Sequence, residues 1–320
     1  MQNKSQTSPA GPVIVILGTG GTIAGSGDDV GYTAGQIGVP QLVAAVPALA
    51  SRSLEAEQVA QVDSKDMSHE IWQVLAMRVQ HHLARPEVGG IVITHGTDTL
   101  EETAYFLHRV LSPAKPVVFA AAMRPATSLQ SDGPQNLLDA VTVAGHPSAS
   151  GVLATLNGRV HGPVEVRKAL PFALDAFSSG EAGPIALIQE GQLRLLRPWP
   201  VCEALGMGRV THAPAAWPPV DVVVSHAGAS GRVVDALVAS GTRGLVIEGT
   251  SNGTVHASLL EAIERAQAAG VSVLRSTRCA GAAVVGAPGG ALPSAGELSP
   301  AKARVELLLQ LLGQLGAPPA

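Results

Sequence analysis

The stretch Val13-Ile14-Val15-Ile16-Leu17-Gly18-Thr19-Gly20-Gly21-Thr22-Ile23-Ala24-Gly25 decides the fold. Five consecutive aliphatic residues, Val13 to Leu17, read as a short buried strand. Gly18, Gly20 and Gly21 then let the chain turn sharply with its amides exposed. Ligands of an open parallel sheet bind beyond the carboxyl ends of its strands, so the hydroxyl of Thr22 is placed for chemistry. A phosphate cradle is the first competing reading. A dinucleotide fingerprint needs glycine where the chain has Ile23, and a P-loop needs a Gly-Lys-Ser/Thr ending that is missing here. A purely structural turn stays open at this point.

The same pattern of strand, polar turn and helix recurs along the chain. Val59 to Val62 reads as a brief strand, followed by Asp63-Ser64-Lys65-Asp66-Met67 and an amphipathic helix from Ser68 to Leu83. Gly89 to Thr94 is the next strand. His95-Gly96-Thr97-Asp98-Thr99 leads from it into a helix through Leu111, with Thr99 and Glu102 spaced as a capping box. Capping leaves Thr97 and Asp98 unexplained at a helix N-terminus whose dipole favours negative charge. Pro116 to Ala122 and Gly151 to Leu156 are further strands, with Gly133-Pro134 and Asn136 to Val143 reading as a loop and helix between them. Gln41 to Leu49 has helical spacing. Ser26 to Val39 is rich in glycine, has neither period, and carries Tyr32; it reads as a mobile flap over the end of the first strand.

This repetition predicts an α/β protein whose larger N-terminal domain, residues 12–197, is a doubly wound, mainly parallel sheet. Residues 198–220, punctuated by Pro198, Pro200, Pro214, Pro218 and Pro219, read as an extended linker. A smaller C-terminal α/β domain follows over 221–320, with strands at Asp221–Ser225, Gly244–Glu248 and Val271–Leu274. Ser299-Pro300 opens its last helix.

Composition narrows the function. A chain of 320 residues with 46% hydrophobic content can bury a sizeable core, while a net charge of -4 and 3% aromatic residues leave no basic, stacking surface for nucleic acid. No apolar run approaches a membrane span, and no secretory signal is visible in Met1 to Pro12. Cys202 and Cys279 match no metal or redox spacing. Two free thiols fit a reducing cytoplasm, which is the expected location. No metal and no cofactor is expected. His81 and His82 are adjacent on a helix and read as surface residues.

A hydroxyl nucleophile needs a proton acceptor and donors for the developing oxyanion; the candidates are Thr22, Tyr32, Ser64, Thr97, Asp98 and Lys168. At this point the motifs Ile16 to Gly25, Tyr32-Thr33, Ile93 to Ala104 and Ala122 to Pro125, with Lys168, Ser251-Asn252-Gly253 and Pro300 to Arg304, resemble the bacterial L-asparaginase family over nearly the whole chain. The resemblance implies that Thr22 attacks the side-chain amide of L-asparagine with help from Tyr32, and that Thr97, Asp98 and Lys168 form a second triad. It implies that Gly21, Ser64, the neighbouring Lys65, Thr97, Asp98 and Asn252 bind substrate. It also implies a homotetramer of intimate dimers with sites at the dimer interface.

Two departures bear on specificity. Lys65 stands where the family usually has glutamine or glutamate, and Ala280 to Ala291 lacks the carboxylate that the family carries in this loop. Lysine has no acceptor for an ammonium group, so Lys65 is expected to turn out of the site or to lie along its carboxylate side. Alternatives are a glutaminase-asparaginase of broad specificity and a non-catalytic amino-acid sensor. A serine hydrolase built on Gly249-Thr250-Ser251-Asn252-Gly253 is excluded by order. That fold needs its acid and then its histidine downstream, and the only later histidine is His256.

Overall fold

The computed structural model describes residues 11–27, 33–281, 283–286 and 292–315. Its strands are β1 (Val13–Gly20), β2 (Leu54–Val62), β3 (Val88–Thr94), β4 (Val117–Ala120), β5 (Val152–Leu156), β6 (Arg159–His161), β7 (Arg167–Lys168), β8 (Phe177–Ser178), β9 (Ala186–Gln189), β10 (Gln192–Leu195), β11 (Val220–Val224), β12 (Gly244–Gly249) and β13 (Ser272–Thr277). Its helices are α1 (Val39–Ala44), α2 (His69–Leu83), α3 (Leu100–Leu111), α4 (Gly133–Ala144), α5 (Arg232–Ala239), α6 (Ala257–Ala268) and α7 (Pro300–Leu312).

Eight strands form one sheet in the order β10-β9-β6-β5-β4-β3-β1-β2. The five from β5 to β2 run parallel, and β6, β9 and β10 extend the far edge antiparallel. Side chains of β1 alternate between two cores. Val15 and Leu17 pack with α2 and α3, while Ile14 and Ile16 pack with α1 and α4 on the other face. A strand buried on both faces cannot alternate polar and apolar residues, which is why Val13 to Leu17 is uniformly aliphatic. The order β2-β1-β3 puts a topological switch point between β1 and β3, where a crevice opens beyond the strand ends.

Several expectations change. β2 begins at Leu54 rather than Val59; it is an edge strand, and Glu55 and Glu57 give it the charged pattern of an edge. The predicted helix over 41–49 is α1 followed by a separate turn at Pro47–Leu49, because Pro47 cannot donate its amide and Val46 before it is extended. His82 is buried and bonds Glu57 at 2.8 Å, so it is not a surface residue. In the segment read as a linker, Val210 and Trp217 are buried against the α2 and α3 core, and the Leu205 amide donates to the Arg109 carbonyl at 2.7 Å.

The second sheet, β11-β12-β13, is parallel, with α5 and α6 on one face and α7 on the other. Ser299 caps α7 and Pro300 occupies its first turn. One side of α7 packs Leu307 and Leu311 on the small sheet, and the other packs Val305, Leu308 and Leu312 into the large core. Arg109 and Tyr105 of α3 both bond Glu306, at 2.8 and 3.0 Å.

Candidate active site

Three turns meet at the switch point: those after β1, β2 and β3. Glycine lets them touch. Gly21 has φ 81°, and a Cβ there would lie 2.3 Å from the Cα and the amide nitrogen of Gly96. A Cβ on Gly96 would lie 2.4 Å from the Ser64 hydroxyl oxygen. Backbone contact between the first and third turns therefore places Thr22, next to Gly21, beside the turn that carries Thr97. Both hydroxyl residues are buried, at 7% and 5% exposure.

The turn after β3 is tied down at each step. The His95 amide donates to the Ala120 carbonyl at 2.9 Å, and Thr19 Oγ1 donates to the Thr94 carbonyl at 2.9 Å. His95 is fully buried, and burial pushes its imidazole down to about 4, so it is neutral near pH 7. Its Nδ1 donates to the Gly96 carbonyl at 2.7 Å, since a carbonyl can only accept. Ser64 supports the turn from the side: its hydroxyl oxygen accepts the Asp98 amide at 3.1 Å and its carbonyl accepts Thr99 Oγ1 at 2.7 Å. That second bond removes the expected capping box. Thr99 is the N-cap of α3, but its hydroxyl serves Ser64 and makes no cap bond.

Lys168 arrives from the β7-β8 hairpin. Its ammonium donates to Thr97 Oγ1 at 2.9 Å and to Asp98 Oδ1 at 2.5 Å, so Thr97, Asp98 and Lys168 form one cluster at the N-terminus of α3. The Lys168 ammonium occupies a lone pair of Thr97 Oγ1, leaving the Thr97 proton to point to another acceptor. The Lys168 amide donates to Glu101 Oε2 at 3.2 Å, a contact that sequence reasoning missed. Glu101 follows Leu100 at the start of α3, and nothing in its position in the sequence points to Lys168. Beyond β4, the Met123 and Arg124 amides both donate to the Asp132 carboxylate, which also accepts Asn136 Nδ2 at 3.0 Å.

Lys65 and Asn252 make their bonds outside the Thr97, Asp98 and Lys168 cluster. The Lys65 ammonium turns away to Asp63 at 2.9 Å and Asp66 at 3.1 Å, with 61% of the side chain exposed. Hydrogen bonds to Asp63 and then Asp66 raise its pKa above the ordinary lysine value. Both ends of the Asn252 amide bond Val285, at 2.7 and 2.8 Å, on the small domain. Tyr32 lies outside the described residues, but the flap's base is held: Ser26 and Thr33 pair, and the Gly35 amide donates to the Gly21 carbonyl at 3.0 Å. The described residues contain no His, Cys, Asp and Glu group that could hold a metal. None of their helices is long and apolar enough to cross a membrane.

Two α/β domains, with the larger presenting hydroxyls and a lysine–carboxylate pair at its switch point, define a class of α/β enzyme. Residues 13–200 match the family described as Asparaginase, N-terminal, and residues 219–317 match the Glutaminase/Asparaginase C-terminal domain. The chain belongs to the asparaginase family. It is 38% identical to L-asparaginase 2 of Escherichia coli (strain K12) over 94% of this chain and 89% of that one. It is 36% identical to a glutaminase-asparaginase of Pseudomonas fluorescens biotype A over 82% of this chain and 75% of the other. The crystal structure of a probable cytoplasmic L-asparaginase from Campylobacter jejuni superimposes with a TM-score of 0.88 at 36% identity, covering 94% of this chain and 95% of that one.

Proposed function

We propose that this chain is an L-asparagine amidohydrolase, releasing L-aspartate and ammonia through an acyl-enzyme on Thr22. The observation that carries the reading is the Lys168 ammonium held between Thr97 Oγ1 and Asp98 Oδ1, at 2.9 and 2.5 Å, beside the turn that bears Thr22. Thr22 Oγ forms a bond to the amide carbon while its proton passes into the Thr97 and Lys168 cluster, whose ammonium gives one up towards the amide nitrogen. The carbonyl oxygen becomes an oxyanion, which the Thr97 amide at the start of α3 steadies. Collapse breaks the carbon–nitrogen bond, and ammonia leaves with a proton relayed through the cluster. Water oriented by Thr97 then adds to the β-aspartyl ester, passing a proton into the cluster as the cluster returns one to Thr22.

Substrate anchoring follows from the same turns. Ser64 uses its oxygen to accept the Asp98 amide, so its hydroxyl proton is free to donate to the α-carboxylate. Asp98 is half exposed and takes the α-ammonium with its second oxygen. The Lys65 charge lies outward on Asp63 and Asp66, so it neither binds nor repels that ammonium. With few ammonium acceptors, the site favours asparagine over glutamine, whose longer chain is harder to hold in register with Thr22.

The working enzyme is a homotetramer in the cytoplasm, with Asn252 offered to a neighbouring subunit's site. The strongly exposed Phe172 near Lys168 and Val285 beside Asn252, at 77% and 72%, support a second copy covering this region. The test is ammonia release from asparagine and glutamine by the purified chain and by Lys168→Met. Asparagine turnover that falls by about a thousandfold in the variant supports the reading, and undiminished turnover contradicts it.

A further inference from the structure

Lys302 breaks two rules of its surroundings at once. It is 1% exposed, although lysine is almost never fully buried without a partner. It also sits in the first turn of α7, between the Ser299 cap and the helix body, where the dipole disfavours a cation. Burial pushes its amine down to about 8, so it still carries its proton near pH 7. The charged groups around it are Glu101 of α3, Glu165 and Arg167 flanking Val166, and Glu297 before α7. None of the three carboxylates bonds it directly among the described residues. Its ammonium donates instead to the Val164 carbonyl at 2.7 Å and to the Val166 carbonyl.

Those carbonyls belong to irregular backbone that has no strand ladder to satisfy it, and the Val166 side chain is itself in the large core. Two residues beyond Val166 stands Lys168, an interval of about 7 Å in extended chain. The Lys168 backbone is thus gripped at two points: its own amide by Glu101 of α3, and the carbonyl just before Arg167 by Lys302 of α7. A residue kept charged in a site that disfavours charge marks a place where position outweighs stability.

We infer that Lys302 is a positioning residue for the Thr97, Asp98 and Lys168 cluster, fixing the backbone that delivers the Lys168 ammonium and coupling the C-terminal helix to the site. The inference rests on the proposed role of Lys168. Its loss should act mainly on turnover, because Ser64 and the Asp98 backbone, which anchor the substrate, are held to each other and not by Lys168.

The experiment compares the full-length chain with Lys302→Met, which fills the same volume without a donor, and Lys302→Gln, a neutral donor. Each is also made in the Lys168→Met background. Lys302→Met is expected to fold, to lose about a hundredfold in kcat and to keep KM within about twofold, the cost of a small misplacement of a reacting group. Lys302→Gln should recover part of that loss. In the Lys168→Met background, Lys302→Met should cost nothing further, because both act through one ammonium. Parental kcat in Lys302→Met, a loss confined to KM, or an equal loss in both backgrounds would overturn the inference while leaving the proposed function standing. Failure of both variants to fold would make Lys302 a folding residue and overturn it as well. Parental turnover in Lys168→Met alone would overturn the mechanism and this inference together.

Discussion

Gly21 and Gly96 meet backbone to backbone: a methyl on Gly21 would stand 2.3 Å from the Gly96 amide nitrogen. This contact sets the distance between the turn that carries Thr22 and the turn that carries Thr97. It also explains why Gly21, at φ 81°, needs to be glycine, whereas a Cβ on Gly96 would meet the Ser64 hydroxyl oxygen first, at 2.4 Å.

Gly21→Ala should therefore drive the two turns apart. The clash is with backbone, which cannot rotate out of the way, so kcat/KM for asparagine is expected to fall by about a hundredfold or more. Steady-state kinetics beside a thermal melt check this, and parental kinetics in a folded Gly21→Ala chain would show that the spacing of the turns does not matter.

Thr97 and Lys168 share one hydrogen bond, and the proposed mechanism uses them as a unit. Thr97→Ala and Lys168→Ala are each expected to lose about two to four orders of magnitude in kcat, and the double variant little more than either. Multiplying losses would mean that the two side chains serve separate steps.

Lys65 is a different case, because its ammonium is exposed and committed to Asp63 and Asp66. Exposed pairs of this kind contribute little, so Lys65→Gln is expected to change KM less than about tenfold and kcat hardly at all. A KM that tightens by about a hundredfold would place the lysine against the substrate's ammonium instead.

The strands and helices that position this site were legible wherever the signal was local. The aliphatic run Val13 to Leu17, the glycines after it and the Ser299-Pro300 helix start each carry their own geometry. What escaped depends on distant partners. Thr99 and Glu102 have capping-box spacing, but the Ser64 carbonyl, 35 residues away in sequence, claims the hydroxyl. His82 reads as solvated until β2 brings Glu57 beside it. The acidic residues of β2 hide its first half, since an edge strand does not show the apolar run of a central one. Thr22, Ser64, Thr97 and Asp98 stood out because each lies in a turn just past a strand. Glu101 and Lys302 act through backbone groups of another segment, which no spacing announces.

The folded chain should be sensitive to mild acid. Burial pushes the imidazoles of His95, His108 and His161 down to about 4, against an ordinary value of 6.5. Below 6.5 the unfolded chain binds protons that the folded chain refuses, so the stability these residues contribute is complete above 6.5 and is lost as pH falls towards 4. Each histidine adds a slope of up to about 1.4 kcal/mol per pH unit in that window. Denaturant unfolding between pH 7 and pH 4.5 should show the decline, and His95→Asn should make it shallower. An unchanged slope in that variant would mean that His95 is protonated in the folded state.

The proposed acyl-enzyme forms on Thr22. Rapid acid quenching of the enzyme during asparagine turnover, followed by digestion and mass spectrometry, reads the acylated residue directly. The mechanism predicts a β-aspartyl group on the peptide spanning Val13 to Gly25, fragmenting to Thr22, and no such adduct with Thr22→Ala, whose ammonia release should be at background. A β-aspartyl adduct on Thr97, or ammonia release by Thr22→Ala at the parental rate, would contradict it.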